Sequence, residues 1–349
     1  MKSAIQKYDS GNMHKLIREF PNQVQAALTI AQDNRIPKPQ IKIDNVLIIG
    51  MGGSAIGGDI LKDLISASGT FPCSVIRGYE VPGWVSDRSF TLVSSYSGNT
   101  EETLAAYQEA ISKGCQCLVS TSGGKLLNIA NENKHRIIQI PGGQPPRTAL
   151  GYLFIPFLMN LVDWGWIDSR FIDMNEVIEL LSSMSERYDP GSEVDSKALE
   201  IAEFCKGRIP VIYSSSKMET VAIRWKGQIS ENSKVLAYNN VIPEMNHNEI
   251  IGWQRAGKMG LNKQLAAILI RDHEDHPRVQ KRMDIVKELI NRSETPMLEL
   301  ETSGNTLLAR MFSLIYLADF VSFNLAMLNE EDPTPILNIE FLKSKLAEE

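Results

Sequence analysis

Val-Leu-Ile-Ile-Gly-Met-Gly-Gly-Ser at residues 46–54 and Thr-Leu-Val-Ser-Ser-Tyr-Ser-Gly-Asn-Thr-Glu-Glu at 91–102 share one pattern. In each, a short apolar run breaks into a loop of small residues and then into a helix-like segment. Apolar runs of this length between helices predict strands buried on both faces, hence a parallel sheet. The second loop carries three hydroxyls (Ser95, Ser97, Thr100), a glycine able to take a positive φ, and the free amides of a helix start. Such a loop suits a bound phosphate, because helix N-terminal N–H groups and the helix dipole favour an anion. It has no Lys-Ser/Thr pair to bring in Mg²⁺ and a triphosphate, so a phosphomonoester is the expected guest. The plainer reading is that Ser and Thr cap the helix beginning near Asn99; capping needs one hydroxyl, and here there are three.

Outward from these loops the alternation continues. A leading helical segment is expected over 12–33, then the breaker-rich Arg35-Ile-Pro-Lys-Pro-Gln40. Strands are expected at Asn45–Ile49, Cys73–Arg77, Phe90–Ser94, Gln116–Ser120 and Ile137–Ile140, with helices at Ala55–Ser66 and Glu101–Ser112. A long apolar helix follows over Leu150–Trp166, and the polar stretch 182–197 reads as a boundary. Beyond it the pattern restarts: strands at Pro210–Ser214, Lys234–Tyr238, Leu265–Ile270 and 299–301, a helix over about Met218–Gln228, an amphipathic helix over Leu307–Leu328, and a last helix from Pro333. The expected organisation is a leading segment (1–40), an N-terminal α/β domain (41–180) and a C-terminal α/β domain (195–349). Two domains also follow from a length of 349 residues.

A net charge of −6 argues against a nucleic-acid partner, which would want a basic stripe. Cys73, Cys115, Cys117 and Cys205 are scattered and make neither a metal site nor a disulfide framework. Cys115 and Cys117, on an expected strand, are read as pointing to opposite faces. No signal-like stretch opens the chain and no run is read as reaching transmembrane length, so a cytoplasmic protein without membrane partner is expected. Gly50-x-Gly52 with Ala55 nearly fits a dinucleotide fingerprint, but the following strand ends Ile76-Arg77-Gly78 and supplies no acidic residue at its end. His273 and His276 have metal-like spacing on a charged run, where a solvated loop is the better reading. No cofactor and no metal are expected.

The same residues carry a resemblance. Ser-x-Ser-Gly-Asn-Thr-x-Glu resembles the phosphate loop of the sugar isomerase (SIS) fold. Gly50-Met-Gly-Gly-Ser-Ala with Gly57-Gly-Asp59 is similar to the first loop of one branch, the bifunctional phosphoglucose/phosphomannose isomerases. Further matches follow in order: Pro141–Arg147, Ser230-Glu231-Asn232, Glu244–Glu249, and Ile339-Glu-Phe-Leu-Lys343. The resemblance runs from about residue 15 to the C-terminus. It implies two SIS-type domains, each a three-layer α/β/α arrangement, and a hexose 6-phosphate as substrate. Gly53, Ser54, Ser95, Ser97 and Thr100 would then bind the phosphate group. Arg147, held by Pro145 and Pro146, would offset the charge of an enediolate. Glu231 would move a proton between C1 and C2, work a carboxylate does when burial lifts its pKa toward neutrality. Glu244 and Glu249 are competitors for that role, or hydrogen-bond partners of their own loop. His247, on a polar loop, and Lys343 would open the pyranose ring. Thr334 would face the sugar C2 hydroxyl. The resemblance further implies a homodimer in which His247 reaches the partner's site, so that active sites are shared. The competing class is a non-catalytic SIS-type regulator, which generally carries a helix-turn-helix; roughly 40 residues before the first strand are too few for one and a linker. A glucosamine-6-phosphate synthase-type enzyme would open on a cysteine-bearing domain, whereas this chain opens Met-Lys-Ser-Ala.

Overall fold

The computed structural model describes residues 1–190, 196–346 and 348. The chain forms two compact units, one of residues 19–179 with 305–309, the other of residues 1–18, 180–304 and 310–349. The first unit holds β1 (Asn45–Ile49), β2 (Cys73–Ile76), β3 (Ser89–Ser94), β4 (Gln116–Thr121) and β5 (Arg136–Gln139). They lie in the order β2-β1-β3-β4-β5, every pair parallel. Register sets Ile49 between Ile76 and Val93, and Val93 beside Val119, so the loops after β1, β3 and β4 leave the same sheet edge. The strands are short Val/Ile/Leu runs because helices cover the sheet, and burying each such side chain contributes about 1.5–3 kcal/mol. Leu47, Ile49, Val93 and Val119 meet Tyr107 and Leu126 in one core. The glycines of the first loop pack closely. A Cβ on Gly58 would stand 2.7 Å from Ile48 Cγ2, and one on Gly57 3.3 Å from Phe154 Cβ.

The second unit holds β6 (Ile209–Ser215), β7 (Tyr238–Ile242), β8 (Leu265–Arg271) and β9 (Met297–Glu301), in the order β7-β6-β8-β9 and again all parallel. Its core joins Val211, Tyr213 and Leu269 to Trp253, Met283 and Ile290.

Several expectations are corrected. The strand expected at Lys234–Tyr238 begins where that span ends: the helix Glu219–Ser233 runs a turn longer, Lys234 closes it, and β7 is Tyr238–Ile242. The helix Leu307–Leu328 is buried on nearly every side rather than amphipathic. It also has the length and apolarity of a membrane span, which no run was expected to have, but 94% of its apolar window is buried inside the protein, the position of a core helix. Cys115 and Cys117 enter one core cluster instead of facing apart, as residues two apart on an extended chain share a side. The expected boundary 182–197 overlaps the helix Met174–Tyr188, and its residues 191–195 lie outside the described residues, as do 347 and 349 of the last domain.

Candidate active site

In the first unit the loop after β3 is built from its own hydroxyls and braced by the loop after β4. Ser95 N–H donates to Ser120 O at 3.2 Å, and Ser95 Oγ lies 3.1 Å from Thr100 Oγ1. Ser97 Oγ accepts from Asn99 N–H at 3.3 Å. Thr100 is the N-cap residue of the helix Glu101–Ser112, yet its side chain makes no cap hydrogen bond. None of these hydroxyl contacts caps the helix, and its first-turn amides face the same loop. Gly98 is required on two counts. Its φ is +67°, and a Cβ there would stand 1.8 Å from Gly123 O. Leu126 N–H donates to Gly98 O at 2.9 Å and Lys125 N–H to Asn99 Oδ1 at 3.0 Å, which seats the loop on the start of the next helix.

The loop after β1 closes on both neighbours. Ser54 is buried and its Oγ accepts Tyr96 N–H at 3.2 Å. A Cβ on Gly53 would stand 2.9 Å from Pro146 O and 3.1 Å from Arg147 Cα, so glycine is what lets this loop reach the arginine's backbone. Arg147 is 3% exposed, on the 3-10 turn Pro146–Thr148. That turn is held by Thr148 Oγ1 donating to Pro145 O (2.8 Å) and by Gln23 Nε2 donating to Thr148 O (2.8 Å). Gln144 N–H donates to the phenol oxygen of Tyr96 at 3.2 Å, linking the Ser95–Thr100 loop to the arginine loop. The structure therefore brings Gly53, Ser54, Ser95, Ser97, Thr100 and Arg147 to one sheet edge. Behind them Asp59 pairs with Arg77; burial pushes the Asp59 carboxyl up, against the pull of that arginine.

Two contributors escaped the reading of the sequence. Tyr96 looked like a spacer inside Ser-Tyr-Ser, and Thr121-Ser-Gly-Gly124 was passed over, though a run of small residues after a strand is the signal already used for the other two loops.

In the second unit Glu231 is half-buried in the last turn of the helix Glu219–Ser233. Its main-chain oxygen accepts from Lys234 Nζ at 2.6 Å. His247 is exposed, at the end of the 3-10 turn Glu244–His247. The two nearby glutamates brace its loop. Glu244 accepts from Asn248 Nδ2 at 2.8 Å, while Glu249 accepts from Tyr213 Oη and from Asn240 Nδ2 (2.6 Å). Burial first, then Glu249, pushes the Tyr213 phenol up, which keeps it a donor to that carboxylate. Lys343 is exposed on the helix Leu337–Leu346. His276 accepts Arg278 N–H at 3.1 Å and caps the helix Pro277–Asn291. No group of three or more His, Cys, Asp or Glu side chains suited to a metal ion occurs among the described residues.

Residues 194–346 match the family model described as the bacterial phospho-glucose isomerase C-terminal SIS domain. The chain is 43% identical over 339 residues to the bifunctional phosphoglucose/phosphomannose isomerase of Caldicellulosiruptor bescii, covering 96% of this chain and 99% of that one. It is 36% identical to the enzyme of the same name from Aquifex aeolicus, covering 96% and 98%. Among solved structures, a hypothetical protein from Thermus thermophilus superposes with a TM-score of 0.76 at 14% identity, over 99% of this chain and 92% of that one, a likeness of fold alone. With both sheets, their loops and near full-length identity at this level, the chain belongs to the bifunctional phosphoglucose/phosphomannose isomerase family.

Proposed function

We propose that the chain interconverts glucose 6-phosphate and mannose 6-phosphate with fructose 6-phosphate. The observation that carries this is the loop Ser95–Thr100, in which Ser95 and Thr100 meet through their hydroxyls and Ser97 accepts from Asn99 N–H, none of them capping the helix that starts there, with buried Arg147 at the same sheet edge. Phosphate binds there through Gly53, Ser54, Ser95, Ser97 and Thr100. His247 and Lys343 open the pyranose by moving a proton from the C1 hydroxyl and delivering one to the ring oxygen. Glu231 then takes the C2 proton of the open aldose; the carbonyl electrons move to oxygen, giving a cis-enediolate, and Arg147 offsets that charge. A proton passes from O2 to O1, and return of the carbon-bound proton from Glu231 to C1, as the O2 electrons form the C2 carbonyl, yields the ketose. The enediolate has lost the C2 stereocentre, so rotation about C2–C3 before reprotonation serves either epimer.

A homodimer with shared sites belongs to this reading. It is supported by the helix Leu337–Leu346, which has no buried residue and leaves Leu337, Phe341 and Leu342 exposed at 71%, 66% and 58%. An apolar face of this kind asks for cover, and a second copy would give it.

The test is production of fructose 6-phosphate from each aldose in excess EDTA, with Glu231→Gln alongside. Both aldoses are converted by the wild type, and the variant loses turnover by about 10²-fold or more while still binding fructose 6-phosphate. Binding without turnover in the wild type would return the chain to the regulator class. Full turnover in Glu231→Gln would remove that residue from the role.

A further inference from the structure

Lys234 closes the helix that carries Glu231, and it does so in an unusual way. Its backbone is left-handed, φ 59° and ψ 27°, which a residue with a Cβ adopts only where its surroundings enforce it. From there Nζ donates to three carbonyl oxygens: Glu231 O at 2.6 Å, Pro335 O at 2.7 Å and Pro333 O at 3.2 Å. The first is what a lysine at a helix C-terminus ordinarily finds, since the last carbonyls lack partners within the helix and the dipole favours a cation. The other two are not needed for capping. They come from the Pro333-Thr-Pro335 segment, about a hundred residues away in sequence, whose prolines hold φ at two of its three residues.

That segment is itself immobilised from behind. Thr334 N–H donates to Asp332 Oδ1 at 2.9 Å, and Asp332 also accepts from Ser10 Oγ. Tyr8 Oη donates to Glu330, and a Cβ on Gly11 would stand 2.3 Å from Thr334 Oγ1. The ammonium therefore ties the last turn of the Glu231 helix to a stretch already held by the N-terminal residues. Two residues beyond Pro335 the helix bearing Lys343 begins.

We infer that Lys234 is a positioning residue for Glu231, fixing the last turn of its helix against the Thr334 segment through a shared set of carbonyls. This rests on the reading of Glu231 as the proton-transferring base. A loosened turn leaves substrate binding in place, because the phosphate loop lies on the other sheet, but misaims the carboxylate at the C2 proton.

The test uses the full chain, with Lys234→Met, Lys234→Gly and Glu231→Gln assayed together on glucose 6-phosphate and on its 2-deuterated form. Glycine accepts the left-handed backbone, so Lys234→Gly separates loss of the ammonium from failure to fold. Both Lys234 variants are expected to lose kcat by about 10- to 100-fold, the range that a small misplacement of a reacting group costs. KM stays within about threefold, and the primary isotope effect on kcat grows as proton transfer becomes slower than the steps around it. An unchanged kcat in Lys234→Gly beside an inactive Glu231→Gln overturns the positioning role and leaves the base standing. A fall in kcat with an unchanged isotope effect and a lower melting temperature reduces Lys234 to a helix cap. An active Glu231→Gln removes both readings at once.

Discussion

At the C-terminal edge of the first sheet the side chains are neutral: Ser95, Ser97, Thr100 and Ser122 with backbone N–H groups, and one buried arginine beside them. At the same edge of the second sheet the chain also leaves β6 through serines, Ser214-Ser-Ser216, but the loop after β8 is Asp272-His-Glu-Asp275. There Asp272 Oδ2 accepts from Arg310 Nε and from Thr302 Oγ1, both at 2.8 Å, and its Oδ1 accepts Glu274 N–H at 2.9 Å. Lys217 Nζ lies 3.0 Å from Glu274 Oε2 and 3.8 Å from Asp272 Oδ1, and Arg310 also pairs with Glu274. Two folds of one kind thus use the same edge in opposite ways. The first gathers neutral hydroxyls and backbone N–H groups, the chemistry of the phosphate site proposed above; the second supplies its own anions and pairs them with its own cations. A fold alone does not make a phosphate site; the loop chemistry decides it.

The largest effect expected from this difference is on stability. Asp272 and Arg310 are both buried, with side chains 0% and 1% exposed. Removing one partner of such a pair leaves an uncompensated charge, at a cost of about 3–5 kcal/mol. Arg310→Met should therefore shift the urea unfolding midpoint strongly downward, and a shift equivalent to less than about 1 kcal/mol would show that Lys217 and Thr302 hold Asp272 without it.

The opposite edge should respond in the opposite coordinate. Ser95→Ala deletes a hydroxyl that meets Thr100, so stability moves by no more than about 1 kcal/mol. The loss falls on the guest instead: KM for fructose 6-phosphate rises roughly tenfold, the worth of one hydrogen bond to a charged group. A variant destabilised as much as Arg310→Met, with KM intact, would make this loop structural and erase the contrast.

How much of this was legible depended on whether partners lie close in sequence. β1, β3 and β4 read to within a residue because each is a continuous apolar run, and the Ser95–Thr100 loop read because its hydroxyls, glycine and helix start are contiguous. β7 was misplaced because it is an edge strand carrying half-buried Asn239 and Asn240, which give no period, while Val235-Leu236-Ala237 imitates a strand. Arg310 sat unremarked in an apolar helix, since Asp272 is 38 residues away. The tie that Lys234 makes was invisible for the same reason, two of its three carbonyl partners standing 99 and 101 residues on. Asp319, within the same buried helix as Arg310, is likewise explained only by Arg224 Nη2 at 2.9 Å and Gln228 Nε2 at 2.6 Å. Periodicity reports what an element buries, not which distant charge it answers.

The smallest expected effect tests the comparison through pH. Burial works to raise the Glu274 carboxyl, but Lys217 and Arg310 outweigh it and hold the group below its ordinary value. A depressed folded value means that Glu274 contributes stability above the unfolded carboxylate pKa of about 4.3, and loses it as pH falls through the folded value. Asp275 runs the other way: burial raises it, so it costs stability at neutral pH and is relieved on acidification, blunting the net slope. Glu274→Gln should accordingly melt slightly below the wild type at pH 7, with the two curves converging as pH drops below about 4. Glu274 is half exposed, so the gap is small, and salt should narrow it further. Ser95→Ala carries no titrating group and should track the wild type at a constant offset through the same range. A constant offset for Glu274→Gln as well would mean that the second edge is held by packing rather than by charge, and the two edges would differ less than their residues suggest.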